Sequence, residues 1–479
     1  MKLSEEQIAF YDVAKNFAIE KMAPHAEKWD EEKILPVETL QELAQLGFAG
    51  IYVSPDLGGS GLSRLDSTLI FEGLSQGCTS TAAFLSIHNM ATWMIDNFGS
   101  QELKERFVPD LCSMKKISSY CLTEPGAGSD AGGLRTKAEK SGDHYILNGT
   151  KSFISGGGFS DVYVTMVKTD ENSISTLVIE KDSEGLSFGG QEKKMGWNSQ
   201  PTAQVIFEDC RVPVENLIGQ EGDGFKIAMN ALNVGRIKLA AACLEAQRRV
   251  VTEGVKYANE RVQFKTPIIN FGAIKAKIAD MAVNAYVGES ACYRAAKNIE
   301  DRIAIRQTGG NSHQEAELKG VEEYAIECSI LKVAVSEDVQ HTTDEGVQIF
   351  GGMGFSADAP MEKAWRDARI ARIYEGTNEI NRMLAVGMLV KKAMKGHVDL
   401  LGPATAVADE LMGIPSFDTP DFSELFSEEK DLLARLKKVF LMVAGSAVQK
   451  FGPELEQHQQ LMLAAADILI EVYMAESTL

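Results

Sequence analysis

Apolar residues recur at helical spacing through the first quarter of the chain. Phe10, Val13 and Phe17 fall at i, i+3 and i+7, and the segments 37–46 and 66–75 repeat this spacing. A stripe of this kind lets neighbouring helices pack together through one face. We therefore expect the N-terminal part of the chain to fold as a helical domain.

The hydrophobic period changes to two in the middle of the chain, between about residues 117 and 213. Such alternation is typical of half-buried strands. The predicted strands cover 145–147, 162–164, 176–179 and 205–207. Asn148-Gly149 and the segment 182–185 carry turn residues and are predicted to connect strands. The pattern predicts a compact β-domain inserted between helical regions.

Helical spacing returns from about residue 224 to residue 395, in segments long enough for a four-helix bundle. The segment 402–419 is rich in Gly, Pro, Ala and Asp and is predicted to be a linker. Two further helices are predicted at 424–450 and 454–479. The second of them is too apolar for a free tail, so we expect it to pack against another surface.

These patterns predict an α+β fold that is mostly α-helical. The expected parts are an N-terminal helical domain at 1–116, a middle β-domain at 117–223, a C-terminal four-helix bundle at 224–398, and a linker with a helical extension at 399–479. A chain of 479 residues exceeds what one hydrophobic core normally holds, so its length agrees with several domains.

Composition argues against several kinds of partner and site. The chain has 48 Lys and Arg against 68 Asp and Glu, and its net charge of −20 opposes non-specific binding to nucleic acid or to an anionic membrane. The seven cysteines are scattered singly, which argues against a disulfide framework and against a zinc site, so no metal is expected. No uninterrupted apolar run approaches the roughly 18 residues of a membrane span, so no transmembrane segment is expected.

The most informative candidate for chemistry is Glu375, in the sequence Glu375-Gly376-Thr377-Asn378. Gly376 removes side-chain bulk beside the carboxylate, and Thr377 or Asn378 can cap the helix that follows. The carboxylate can then act as a bare base beside a ligand. The alternative interpretation is an ordinary helix-start Glu favoured by the helix dipole, so a catalytic role depends on other motifs.

Other segments carry groups that suit a bound cofactor or thioester. The loop 122–130 brings glycines beside the hydroxyls of Thr123 and Ser129. The segment 151–158 puts an aromatic ring and a hydroxyl two positions apart on one strand face, which suits a flavin edge. The helical segment 232–236 offers an Asn and an Arg for a carbonyl group. Taken alone, these are as well explained by turn chemistry, a β-core aromatic and a surface arginine.

A basic residue and a glycine cluster that suit a pyrophosphate lie at 257–264 and 348–355. In their order and spacing, all these motifs resemble those of the acyl-CoA dehydrogenase flavoenzymes, over residues 4 to 395. The resemblance implies a helical N-terminal domain, a β-barrel-like middle domain and a C-terminal four-helix bundle, which bind FAD and an acyl-CoA thioester.

The resemblance implies a reaction as well as a fold. Glu375 would remove the α-proton of the acyl group and flavin N5 would take the β-hydride, which gives a trans-2-enoyl-CoA. Some relatives carry the base at the position of Gly235 instead, and that alternative is closed in this sequence. The expected electron acceptor is electron-transferring flavoprotein.

The resemblance also assigns binding roles to individual residues. The implied cofactor contacts are Tyr120, Leu122, Thr123, Ser129, Phe153, Ile154, Ser155, Arg261, Gln263, Phe271, Gln348, Gly351, Gly352, Thr377, Asn378 and Glu379. The implied substrate contacts are Trp93, Ser129, Asn233, Arg236 and Gly376. Arg261 and Gln263 match residues that reach the FAD of a neighbouring subunit, which implies a homodimer or homotetramer.

Two parts of the chain resemble different subgroups of this family, and these subgroups act on different acyl groups. The segments 80–94 and 196–202 resemble the isobutyryl-CoA dehydrogenases, in which Phe84, Ile87 and Trp93 at a pocket floor would favour a short branched chain. The C-terminal half is more similar to the very-long-chain enzymes. We expect a short branched-chain acyl-CoA, with a long- or very-long-chain substrate of fatty acid β-oxidation as the alternative.

A further alternative is a non-catalytic assembly protein that still binds FAD. The expected location is the bacterial cytoplasm, or the mitochondrial matrix for a processed eukaryotic chain.

Overall fold

The computed structural model describes residues 3–413 and 422–479. A group of helices comes first. They are α1 (Glu5–Phe17), α2 (Ala26–Glu31), α3 (Val37–Gln45), α4 (Arg64–Ser75), α5 (Thr79–Phe98) and α6 (Gln101–Cys112). Ser4 caps α1 and Ser63 caps α4, each through reciprocal hydrogen bonds with the third residue of its helix. Most side chains of α4 and α5 are buried, and the predicted N-terminal helical domain is confirmed.

The middle of the chain forms one sheet of eight strands. They are β1 (Ser118–Cys121), β2 (Lys137–Ser141), β3 (His144–Ser155), β4 (Val162–Lys168), β5 (Ile174–Glu180), β6 (Leu186–Phe188), β7 (Thr202–Pro213) and β8 (Leu217–Ile218). The strand order is β6-β7-β3-β2-β4-β5-β8, and β1 pairs in parallel with β4. Side chains of β3, β4, β5 and β7 form a separate apolar core, which confirms the predicted middle β-domain.

The predicted turn at Asn148-Gly149 is wrong, because β3 continues through both residues. The register between β3 and β7 shifts between Leu147 and Gly149, so the pair lies in an irregularity within the strand. A Cβ on Gly149 would lie 2.5 Å from Thr136 Oγ1. The glycine therefore lets β3 approach the segment at Thr136 closely, and it does not form a hairpin turn.

The third part of the chain is a helical bundle. Its helices are α7 (Gly224–Glu260), α8 (Gly272–Thr308), α9 (His313–Glu323), α10 (Ala325–Phe350), α11 (Pro360–Ala368) and α12 (Asn378–Met394), and a two-stranded hairpin of β9 (Val262–Gln263) and β10 (Thr266–Pro267) separates α7 from α8. Helix α7 packs against α8 and α10, and α10 packs against α12. The predicted C-terminal helical domain is confirmed.

Helix α7 is the one described helix whose length and composition would allow it to cross a membrane. Its most apolar 18-residue window is 83% buried inside the protein. This burial is what the core helix of a bundle requires.

Three more helices follow the bundle: α13 (Leu401–Met412), α14 (Ser427–Phe451) and α15 (Gln459–Thr478). The predicted linker is wrong over 401–412, which is helical, and its part at 414–419 lies outside the described residues. Helix α15 packs on α8 and α12, as expected for its apolar sequence. Its Ile470 and Met474 enter the same apolar core as Leu239 of α7.

Candidate active site

Glu375 lies in a tight turn that leads into α12. Glu375 has φ +58° and Gly376 has φ +85°, so a non-glycine residue is held in the left-handed region. Asn381 Nδ2 donates to the backbone oxygens of both residues, at 3.3 and 2.8 Å, and Thr377 Oγ1 caps α12 by accepting from Ile380 N. This clamp holds the turn in a conformation of the kind that is frequent at functional sites.

The Glu375 carboxylate is enclosed without a hydrogen-bonding partner at one oxygen. Oε2 is inaccessible to solvent and accepts no hydrogen bond from any described residue. A Cβ on Gly235 of α7 would lie 2.4 Å from Glu375 Oε1. Gly235 therefore makes room for the carboxylate, and a side chain there would displace it.

Three buried cations surround this carboxylate. Burial raises the pKa of Glu375, and the charges of Lys238, Arg236 and Lys332 act in the opposite direction. Burial lowers the pKa of Lys238, whose Nζ donates to Tyr52 Oη at 2.8 Å and to the Ser86 carbonyl at 3.0 Å. The site thus sets desolvation against positive charge, which is a common way to tune a general base.

Arg236 contacts the catalytic candidate through its backbone. Its side chain is buried, so the alternative of a surface arginine is wrong. Arg236 Nε donates to the Glu375 carbonyl at 3.3 Å, and Nη1 donates to Asn233 Oδ1 at 2.9 Å. The structure therefore brings Asn233, Arg236, Glu375 and Gly376 together.

Glu375 lines a cavity of about 320 Å³. Gly235 and Lys238 line it from α7, and Ile87 lines it from α5. The other two residues of the predicted pocket floor, Phe84 and Trp93, do not line it. Both are 1% exposed and lie in the core.

The predicted flavin loop and strand present an exposed ring and an unpartnered hydroxyl. Phe153 is 68% exposed with φ +56°, and it lies where the register of β3 and β7 shifts. Tyr120 Oη is enclosed and has no described hydrogen-bonding partner. Gln200 donates to Ser155 Oγ, so this hydroxyl is already oriented. An outward ring and an unsatisfied hydroxyl fit a planar, polar-edged cofactor such as the flavin of FAD.

The other predicted contacts of this loop and strand differ in exposure. Leu122 and Ile154 are buried, Thr123 is partly buried and Ser129 is exposed. The Thr123 carbonyl accepts from Ser152 N at 2.8 Å, which ties the loop to β3.

A second group of predicted cofactor contacts lies apart, at one end of the bundle. These are Arg261, Gln263, Phe271, Gln348, Gly351 and Gly352, and none of them lines the cavity at Glu375. Tyr257 stacks on Phe350 with ring centroids 4.1 Å apart, which brings the ends of α7 and α10 together. All six predicted contacts are exposed.

Two predicted contacts after Glu375 have different surroundings. Asn378 is 1% exposed, and its side chain exchanges hydrogen bonds with Lys332, Ser336 and Glu337. These bonds use both the oxygen and the nitrogen of the Asn378 amide, so the side chain connects α12 to α10 within the bundle. Glu379 is exposed at the start of α12.

Sequence reasoning missed Lys238 and Tyr52. The available signal was spacing, because Lys238 lies three residues after Gly235 and so falls on the same helix face. Nothing in the sequence around Tyr52 indicated that its hydroxyl would accept a hydrogen bond from that lysine.

Sequence models of the acyl-CoA dehydrogenase family match most of the chain. The N-terminal domain model matches residues 4–115, the middle domain model residues 119–210 and a C-terminal domain model residues 222–388. A further acyl-CoA dehydrogenase C-terminal domain model matches residues 435–479.

Individual relatives agree with these matches. The mitochondrial isobutyryl-CoA dehydrogenase of Bos taurus is 47% identical over 395 residues, which cover 82% of this chain and 91% of the relative. A probable acyl-CoA dehydrogenase of Bacillus subtilis (strain 168) is 40% identical over 443 residues, covering 92% of this chain and 74% of the relative. The crystal structure of an acyl-CoA dehydrogenase complexed with FAD from Bacillus anthracis has a TM-score of 0.94 at 38% identity, and covers 99% of this chain and 81% of that one.

Proposed function

The chain belongs to the acyl-CoA dehydrogenase family, and from this premise we propose that it removes one hydrogen each from the α- and β-carbons of an acyl-CoA thioester, with Glu375 as the base. Bound FAD would supply the acceptor for the hydride that leaves the β-carbon. The product is a trans-2-enoyl-CoA. The observation that carries the proposal is the enclosed, unpartnered Oε2 of Glu375, a residue that lines the cavity.

The proton transfer follows from the surroundings of the carboxylate. Glu375 Oε2 accepts the α-proton, because this oxygen has no described donor to compete with the substrate. Burial raises the pKa of Glu375 and so brings its basicity closer to that of the activated α-carbon. No described backbone hydrogen bond uses the Glu375 N–H, which we assign to the thioester carbonyl, where it would stabilise the developing negative charge.

The residues that would hold FAD fall into two groups. Tyr120, Leu122, Thr123, Ser129, Phe153, Ile154 and Ser155 would hold the ring, with Thr377 and Glu379 beside it. Arg261, Gln263, Phe271, Gln348, Gly351 and Gly352 would reach the pyrophosphate of a second subunit's FAD. The protein would then work as a homo-oligomer, and electron-transferring flavoprotein would receive its electrons.

The acyl group of the substrate is less directly indicated. The identity to the isobutyryl-CoA dehydrogenase of Bos taurus favours the short branched chain expected from the sequence. That expectation depended on three bulky residues forming the floor of the acyl pocket. Only one of them, Ile87, lines the cavity in the structure.

The proposed base is tested with Glu375→Gln. The variant should keep bound FAD and its yellow colour, yet an acyl-CoA added without oxygen should no longer bleach the flavin absorbance. Glu208→Gln, an exposed change on β7, is the matched control and should bleach as the wild type does. Bleaching of Glu375→Gln at the wild-type rate would refute the base. A wild-type protein that stays yellow with every acyl-CoA would favour the assembly-protein alternative.

A further inference from the structure

A loop of the middle domain packs against the turn that carries Glu375. This loop, residues 194–200, lies between β6 and β7, and we call it the junction loop. Its Trp197 is 8% exposed, and the Trp197 ring meets the ring of Tyr374 edge to face, with centroids 5.2 Å apart and an interplanar angle of 71°. Tyr374 directly precedes Glu375. The junction loop therefore contacts the neighbour of the proposed base.

Trp197 has an unusual backbone conformation that the bundle holds in place. Its φ is +52°, in the left-handed region that few non-glycine residues occupy. Trp197 N donates to Asp367 Oδ1 of α11 at 2.7 Å. A Cβ on Gly196 would lie 2.6 Å from the same oxygen and 2.7 Å from the backbone carbon of Arg366, so only a glycine fits there. Such a conformation persists where its surroundings determine it, as they do here.

The junction loop is also bound to the other two parts of the chain. Asn198 N donates to Asp30 Oδ1 of α2 at 3.0 Å, which connects the loop to the N-terminal helices. Gln200 Nε2 donates to Ser155 Oγ at the end of β3, the strand with several predicted flavin contacts. The loop thus connects this strand to the turn at Glu375.

Lys194 closes the junction loop on itself. Its Nζ donates to the Trp197 carbonyl at 2.7 Å, to the Gln200 carbonyl at 2.6 Å and to Thr202 Oγ1 at 2.8 Å. These three bonds use all three donors of the ammonium group. The loop is therefore braced from inside as well as attached from outside.

The turn at Glu375 is held differently on its two sides. On the α12 side, Asn381 donates to the backbone oxygens of Glu375 and Gly376. On the preceding side, Tyr374 N donates to the Ile370 carbonyl at 3.2 Å, and the Tyr374 side chain makes no hydrogen bond to any described residue. Packing alone therefore orients the Tyr374 ring.

We propose that Trp197 is a positioning residue for the reaction. By packing on Tyr374, it holds the turn at Glu375 in a fixed place relative to β3. The inference rests on the proposed function, because Glu375 is the base in both. Trp197 also lines the cavity, so a change at Gly196, which does not line it, is needed to separate positioning from cavity shape.

(Methylthio)acetyl-CoA tests the base alone, because the sulfur at its β-position carries no hydrogen to transfer, while its α-carbon keeps two. The FAD-bound protein is mixed with this compound in heavy water, and mass spectrometry follows the exchange of α-hydrogen for deuterium. Trp197→Leu and Gly196→Ala should each slow this exchange by about tenfold or more, since a misplacement of about 1 Å can cost ~100-fold in rate. The Kd of the compound should stay within about twofold of wild type.

Two further variants serve as controls for the ring contact. Trp197→Phe keeps an aromatic ring against Tyr374 and should exchange within about threefold of wild type. Lys193→Gln is an exposed change beside the junction loop and should exchange as wild type does.

Three results would overturn the positioning role of Trp197. They are exchange at the wild-type rate in both Trp197→Leu and Gly196→Ala, a loss of exchange that is matched by an equal loss of binding, and a Trp197→Phe variant as slow as Trp197→Leu. Failure of the proposed function gives a different result. In that case wild type does not exchange the α-hydrogens, or Glu375→Gln exchanges them as fast as wild type.

Discussion

At the scale of single residues, the presence of Lys238 beside Glu375 is the least expected part of the site. Both line one cavity, and Lys238 is the largest charge effect that opposes the raised pKa of Glu375. A positive charge near a carboxylate stabilises its ionised form. The charged lysine would therefore lower the pH at which the base becomes able to accept a proton.

Lys238→Met should shift the pH dependence of the reaction. Loss of the positive charge raises the pKa of Glu375, and the base must be unprotonated to react. The acidic limb of kcat/KM should therefore move to higher pH, by about one unit. The measurement is a pH profile of kcat/KM with one acyl-CoA.

Lys226→Met provides the matched control for this shift. Lys226 lies on the same helix but is exposed, so its removal should leave the acidic limb in place. An unchanged limb in Lys238→Met would show that the lysine only fills space beside Tyr52 and Ser86.

The sequence allowed Glu375 to be chosen as the candidate base, but it gave no indication of Lys238. Glu375 is followed by Gly376 and Thr377, whose roles are local, and the structure shows the left-handed turn and the helix cap that such residues permit. The burial of Lys238 depends on Tyr52, which is 186 positions away. A lysine in a helix gives no local indication of such a partner.

Helices and strands were predicted correctly where the hydrophobic periodicity was clear. They were predicted wrongly where the prediction depended on a glycine. Gly402 and Pro403 suggested a linker, yet both lie in the first turn of α13, where a helix tolerates them. Gly149 suggested a turn because a glycine that permits close packing looks the same in sequence as one that permits a hairpin. The long stripes of α7 and α10 carried no such ambiguity.

Helix α15 supports the bundle near the cavity. Its Ile470 is 6% exposed and lies in one apolar cluster with Leu239 and Cys243 of α7, both of which line the cavity. The C-terminal extension is thus continuous with the core behind the site.

Ile470→Ala should lower the free energy of unfolding by about 2–5 kcal/mol, because it removes buried methyl groups and leaves a cavity. Urea unfolding of the FAD-bound protein measures the change. Leu461→Ala on the same helix is the control, since Leu461 is 41% exposed and its loss should cost less than about 0.5 kcal/mol. Equal midpoints for the two variants would show that α15 is not part of the core.

At the scale of the whole molecule, a buried ion pair connects the N-terminal helices to the bundle. Arg64 of α4 pairs with Glu317 of α9, 253 positions away, and both side chains are less than one-tenth exposed. The guanidinium group lies 4.0 Å from the ring centroid of Tyr52 and 5.1 Å from that of Trp93. Trp93 Nε1 donates to Glu317 Oε2 at 3.3 Å. Trp93, predicted to contact substrate, instead completes this interdomain cluster.

Glu317→Gln should destabilise the protein by about 3–5 kcal/mol, because buried Arg64 would lose the carboxylate with which it forms its ion pair. The loss should appear as a lower midpoint in urea unfolding of the FAD-bound protein. Glu322→Gln on the same helix is exposed and should leave the midpoint within about 0.5 kcal/mol of wild type.

The double variant Arg64→Met/Glu317→Leu distinguishes two effects on stability: the net contribution of the ion pair, and the penalty of burying one charge without its partner. It removes both buried charges and fills their space with apolar side chains, so it should recover most of the stability that Glu317→Gln loses. A double variant as unstable as the single one would mean that the hydrogen bond from Trp93 to Glu317, and not the charge, joins the two domains.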